Sequence, residues 1–206
     1  MDDDTILDDT VAVHVGEDFA DADLHGRRFE NVTFERCSFA GAGLDDVVTV
    51  GVTFTECGFD EADLISSRHE RSAFLNCTFA RAGLREARFV ACKMTGSTFE
   101  ATRLRPVHVE GGDWSYVALG QANLAGVDFS DVRLFEANLV GTDLTGASLR
   151  GADLRGARLT GAVLRDADLR GARLDGLDPR VVDLRGARVD VDHALQFART
   201  FGVIIS

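Results

Sequence analysis

The sequence predicts an all-β protein, a parallel β-solenoid of about nine four-sided coils, followed by a short C-terminal helix. Two observations predict it. Apolar residues recur at every fifth position in one unbroken register, and the residue type at those positions repeats every twentieth.

Counting in fives from Phe19 to Val189 gives 35 positions, 17 of them Leu and 11 Phe. Met94, Val109, Trp114 and Val189 are also apolar, and only Thr49, His69 and Pro179 depart. Two residues earlier sits a small side chain, as at Ala22, Cys37, Ala42 and Cys57, with Arg27 and Leu177 the clear exceptions. A helix cannot use this spacing, because five steps of about 100° spread the leucines over every face. A continuous strand fails as well, because an odd step alternates faces. The pattern is buried only if the chain turns every five residues. Three extended residues then point in, out and in, and two more make a corner. Glycine at the second corner position, as at Gly126, Gly141 and Gly151, fits a turn that needs positive φ. The column Leu24, Leu44, Leu64 and onward to Leu184 is leucine throughout, and Phe19 to Phe99 hold a second column in steps of twenty. Four sides therefore close each coil.

The elements follow in order. Residues 1–14 form an acidic leader, "MDDDTILDDT" at its start, expected to be poorly ordered. It lacks the basic-then-apolar pattern of a secretory signal. No apolar run approaches the ~20 residues that span a bilayer, so no membrane partner and a cytoplasmic location are expected. Residues 15–190 form the solenoid. In residues 191–206 the rhythm stops, and Asp192 is expected to cap a helix over His193–Phe201 that Gly202 ends. Leu195, Phe197, Ala198, Phe201, Val203, Ile204 and Ile205 are more apolar groups than one end cap requires, which predicts a homodimer through the C-terminus.

No reactive constellation emerges. Cys37, Cys57 and Cys77 are twenty apart and with Cys92 take the small inward position, so they read as reduced core residues, not as a zinc motif. Thr49 and His69 share one inward column and are expected to hydrogen-bond. His14, His25, His108 and His193 form no ligand set. No catalytic residue, metal or cofactor is expected, and the protein reads as a binder and not an enzyme.

Net charge is −12, and residues 1–100 carry −11 of it. Such acidity argues against direct nucleic-acid binding, which needs cations against phosphate. Folding the chain in twenties gathers Asp18, Asp21, Asp23, Asp60, Glu61 and Asp63 round one corner, with Asp45 and Asp46 beside it. Glu86 and Glu100 continue this ridge, and Arg81 interrupts it. The ridge is either a solvated face or a stripe for a cationic groove. In the other half, arginines such as Arg155 and Arg170 alternate with outward Asp153 and Asp168, as in salt-bridge ladders on the rod's surface.

The consensus A-(D/N)-L-x-x, over about 85% of the chain, resembles that of the pentapeptide-repeat family, which implies a right-handed quadrilateral β-helix. The stretches "SSRHERSAFLNCTF", "CKMTGSTFEATRLRPVHVEGGDWSYVALGQANL" and "VDLRGARVDVDHALQFARTFGVIIS" resemble the family's fluoroquinolone-resistance branch, the MfpA type related to Qnr. That resemblance implies a rod-shaped dimer that mimics DNA and occupies the DNA-binding surface of DNA gyrase, a type II topoisomerase. Two alternatives stand beside it: self-protection against an endogenous topoisomerase poison, and a scaffold with no topoisomerase contact.

Overall fold

A computed structural model describes residues 12–205. The expected leader lies outside the described residues up to position 11. The chain winds as a parallel solenoid of four-sided coils. The regular strands are β1 (Val13–Val15), β2 (Arg28–Glu30), β3 (Thr33–Glu35), β4 (Val48–Val50), β5 (Thr53–Thr55), β6 (Arg68–Glu70), β7 (Ala73–Leu75), β8 (Arg88–Val90) and β9 (His108–Glu110). They form two parallel sheets, β1-β3-β5-β7 and β2-β4-β6-β8-β9. Every pairing has a register of twenty, such as Phe34↔Phe54 and Phe89↔Val109. The strands cluster where the outward residues are β-branched, as in Thr33, Val48, Val50, Thr53 and Thr55, side chains that suit extended backbone. Elsewhere single bridges carry the same register, from Asp18↔Ser38 to Asp168↔Arg188.

We number the sides by their inward columns: side 1 from Phe19, side 2 from Leu24, side 3 from Phe29 and side 4 from Phe34. The ladder begins one step before Phe19. His14, which the sequence reading assigned to the leader, is buried on β1 and stacks on Phe34 at 4.9 Å. Phe19, Phe39, Phe59, Phe79 and Phe99 stack face to face at 4.8–5.0 Å, the spacing of the coils themselves. Side 4 phenyls meet them edge-on, as Phe34 meets Phe39. Burial of each such ring or leucine contributes about 1.5–3 kcal/mol.

Corners explain the glycines and more. The second corner residue has positive φ in every described pentad up to Gly186 except at Pro106 and Val181, yet eighteen of these residues are not glycine. Arg36, at φ 53°, shows how the strain is held: its N–H donates to Thr55 O on the next coil at 2.8 Å. A left-handed conformation costs about 1–2 kcal/mol for a residue with a Cβ. The ladder bonds on either side impose it.

The terminal helix, α1 (Val191–Thr200), starts two residues earlier than expected, with Asp190 and not Asp192 at the N-cap. Asp190 is extended (ψ 161°), its side chain turned back to accept from Gly171 N–H. Asp192 lies in the first helical turn. Gly202 ends the helix as expected: at φ 77° it lets its own N–H reach Arg199 O and that of Val203 reach Ala198 O.

Candidate functional site

Side 2 and the corners flanking it carry the anionic ridge. Asp23 and Asp63 face outward on side 2, separated by Gly43 and followed by Gly83. Two coil spacings put these carboxylates about 10 Å apart along the rod. Asp21, Asp60, Glu61 and Glu100 occupy the corner between sides 1 and 2, and Asp18 faces outward on side 1. Asp45, Asp46 and Glu86 occupy the opposite corner of side 2. Every one of these ten residues is exposed or half-buried.

Three of the ten have a cationic or imidazole nitrogen within 4 Å among the described residues. Arg81 donates to Glu61 at 2.6 Å, His25 Nδ1 lies 2.6 Å from Asp45, and His108 Nε2 lies 3.2 Å from Glu86. The hydrogen bond and charge of Asp45 raise the His25 pKa. His25, Asp45 and Asp46 converge within 4.8 Å of one another, a grouping that the scattered positions of the histidines hid in the sequence. It joins the first coil to the second across a corner.

A local contrast separates the two halves of the rod. From Asp153 onward each outward Asp is followed two residues later by Arg, and the guanidinium folds back on it, whereas outward Asp113, Asp128 and Asp143 precede Ser or Thr and accept from those residues. Arg155 grips Asp153 through Nε and Nη2 at 2.8 and 2.7 Å. The same two-pronged contact joins Arg170 to Asp168, Arg180 to Asp178 and Arg185 to Asp183. The arginine hydrogen bond pushes the Asp153 carboxyl down to about 2 and lowers those of Asp168 and Asp183 further. These self-neutralised forks, with coil-to-coil links such as Arg165–Asp183 at 2.6 Å, make up the expected salt-bridge ladder. At Asp18, Asp23 and Asp63 the residue two places on is Ala20, His25 and Ile65. There the carboxylate accepts only that residue's backbone N–H, at 3.0–3.1 Å, and among the described residues it has no ion-pair partner.

Inside the shaft, polar residues satisfy one another. His69 Nδ1 lies 2.8 Å from Thr49 Oγ1, Thr49 Oγ1 lies 2.9 Å from Ser72 Oγ, and Ser72 donates to Glu70 O. The network fixes the protons: Thr49 donates to Ser72, His69 donates from Nδ1, and Nε2 accepts from Ser67 at 3.0 Å. Burial lowers the His69 pKa to about 3. The cysteine thiols donate to carbonyls 23 residues back, as Cys57 does to Phe34 O and Cys92 to His69 O. Burial pushes Cys92 up to about 11, and a neighbouring sulfur together with burial raises Cys77.

At the C-terminal end, Phe197 of α1 packs on the last coils and Leu195 is half-buried. Ala198 is also half-buried, whereas Phe201, Val203, Ile204 and Ile205 lie exposed, Ile204 at 93%. Val181 is exposed beside Phe201, and Val191 is exposed at the other end of α1.

Two family models match the repeats: a pentapeptide repeat region over residues 52–129, and pentapeptide repeats in eight copies over residues 115–151 and 146–188. The chain is 45% identical over 105 residues to the pentapeptide repeat protein MfpA of Mycobacterium tuberculosis. That match covers 51% of this chain and 46% of MfpA, so the chain spans about half the length of this relative. A trypsin-treated form of QnrB1, described as a plasmid-mediated fluoroquinolone resistance protein, superposes with a TM-score of 0.86 at 23% identity, covering 95% of this chain and 98% of that one. Full-length QnrB1 gives 0.84 at 22%, over 94% and 98%. At such identity the likeness is one of fold. Continuous pentads, four-sided coils and both family models agree: the chain belongs to the pentapeptide-repeat family.

Proposed function

We propose that this protein is a non-enzymatic, DNA-mimicking binder of DNA gyrase that acts in the cytoplasm. It occupies the surface where a type II topoisomerase holds DNA, inhibits the enzyme and limits the breaks that fluoroquinolones stabilise. The observation that carries this reading is a contrast in outward carboxylates: Asp18, Asp23 and Asp63 carry no arginine fork, whereas Asp153, Asp168, Asp178 and Asp183 are each gripped by one. A rigid rod with a preorganised anionic stripe suits a cationic groove, and fixed geometry spares the ordering cost of binding. The similarity to MfpA and the fold shared with QnrB1 support the same reading. Charge alone does not reproduce DNA. Nine coils span about 42 Å, over which a duplex carries roughly 25 charges, against a formal −12 here. Shape and placement supply the rest.

We assign the exposed C-terminal apolar surface to a two-fold partner copy, which places the acidic halves at the outer ends of a longer rod. The test of function is a gyrase supercoiling titration. Asp60→Lys with Glu61→Lys and Asp63→Lys should weaken inhibition at least tenfold and reduce its sensitivity to salt. A gentler probe is Ile65→Arg, which should build a fork on Asp63 and mask that carboxylate without removing it. Undiminished inhibition by the triple variant would reject the ridge as the contact.

A further inference from the structure

The coil-to-coil ladder is broken at one place in mid-rod, and only on two sides. Between the coil that starts at Met94 and the one that starts at Trp114, sides 4 and 1 keep their bonds: Met94 N–H to Asp113 O, Phe99 N–H to Ala118 O, and Ala118 N–H to Ser97 O, at 2.9–3.0 Å. On sides 2 and 3 the equivalent bonds are missing. Leu84 N–H reaches Arg103 O and Leu124 N–H reaches Asp143 O, but Leu104, between them in the same column, makes no such bond to Asn123. The bridges Gly83↔Arg103 and Asn123↔Asp143 are present, and Arg103↔Asn123 is not. On side 3 the sheet ends at β9, and the next bridge begins only at Asp128↔Ser148. Pro106, which has no N–H to give, sits at the corner in the middle of this gap. A cavity of about 210 Å³ opens there between Leu104–Val107 and Asn123–Val127.

Packing inside the shaft changes at the same level. The phenyl stack on side 1 ends at Phe99 and leucine replaces it from Leu119. Trp114 reaches across from side 4 and contacts Phe89, Phe99 and Phe129 at 5.6–6.1 Å, taking up room that the small Val109 leaves on side 3. One bulky ring therefore bridges coils that their backbones no longer join on that side.

We infer that this seam is a hinge: sides 4 and 1 act as the pivot, sides 2 and 3 open and close, and the acidic half of the rod tilts against the neutral half. The ladder elsewhere in the rod's middle is continuous on all four sides, so bending concentrates where bonds are absent. The opening side is the one that bears the ridge. Tilting therefore changes how straight the anionic stripe runs past mid-rod, a freedom suited to a curved cationic surface. The hinge is a property of the free protein and stands whether or not gyrase is the partner.

The experiment measures distances across the seam on both sides of the free, full-length protein. Spin labels go on Glu86→Cys with Asp166→Cys, which straddle it on the opening side, and on Glu56→Cys with Glu136→Cys, which straddle it on the pivot side. Both pairs are exposed corner residues four coils apart, and the four native cysteines are buried and take no label. The opening-side pair should give a distance distribution at least twice as wide as the pivot-side pair. Amide exchange should be at least roughly tenfold faster at Leu104 than at Leu84 and Leu124. Equal widths overturn the hinge, even if Leu104 exchanges fast, because a static gap would do that too.

Discussion

His69 takes an inward position in a shaft filled mainly by Leu and Phe, and its imidazole is held neutral by burial. The folded chain resists protonation down to about pH 3, whereas the unfolded chain takes up the proton near 6.5. The unfolded state thus binds the extra proton within that window, so stability declines as pH falls from 6.5 toward 3, by up to about 1.4 kcal/mol per unit. Thr49→Val, Ser67→Ala and His69→Phe together should flatten this slope, measured by denaturant melts across that range. An unchanged slope would assign the acid sensitivity elsewhere. Glycines differ among themselves at this scale. A methyl at Gly112 would strike the carbonyl oxygen of Cys92, whereas one at Gly26 would meet nothing within 4 Å. Gly26→Ala should cost about 1 kcal/mol for the left-handed backbone alone, and Gly112→Ala at least about 3 kcal/mol by thermal or denaturant unfolding.

Among the elements, the pentads were legible in the sequence because a hydrophobic period of five permits one solution, and the column of twenty then counts the sides. The ends were less legible. His14 continues the ladder with an aromatic ring that hydropathy does not score as core, and His14 Nδ1 gains Glu17 at 3.0 Å, a partner invisible until the coil closes. Asp192 looked like a cap because it precedes the apolar run. Asp190 takes the place because its backbone is already extended beside Gly171. The grouping of His25 with Asp45 and Asp46 needed the corner geometry. The seam left one trace, a proline at Pro106 where the register calls for positive φ. For α1 the expectation is specific. Ending the chain at Val189 should leave a monomer by light scattering, while the full chain gives twice the mass; a dimer surviving the cut would move the interface elsewhere.

As a whole molecule the rod divides into a phenyl-filled acidic half and a leucine-filled half whose charges cancel locally. Binding to a cationic groove should therefore weaken steeply as salt rises, and the variants on Asp60, Glu61 and Asp63 should flatten that dependence, read from inhibition titrations between low and physiological ionic strength. A salt-independent interaction would mean that the apolar end, and not the acidic half, makes the contact. Among the described residues no helix is long and apolar enough to cross a membrane.

The Asp–Leu–Arg fork has a consequence for how such a surface can change over generations. In three of the four forks the residue between the two charges is an inward leucine, with Pro179 in the fourth, so one codon exchange beside that residue toggles a site between anionic and silent without touching the core. A lineage can in this way repaint its exterior pentad by pentad, with the interior left as it was. Rods of indistinguishable shape could then come to address quite different neighbours.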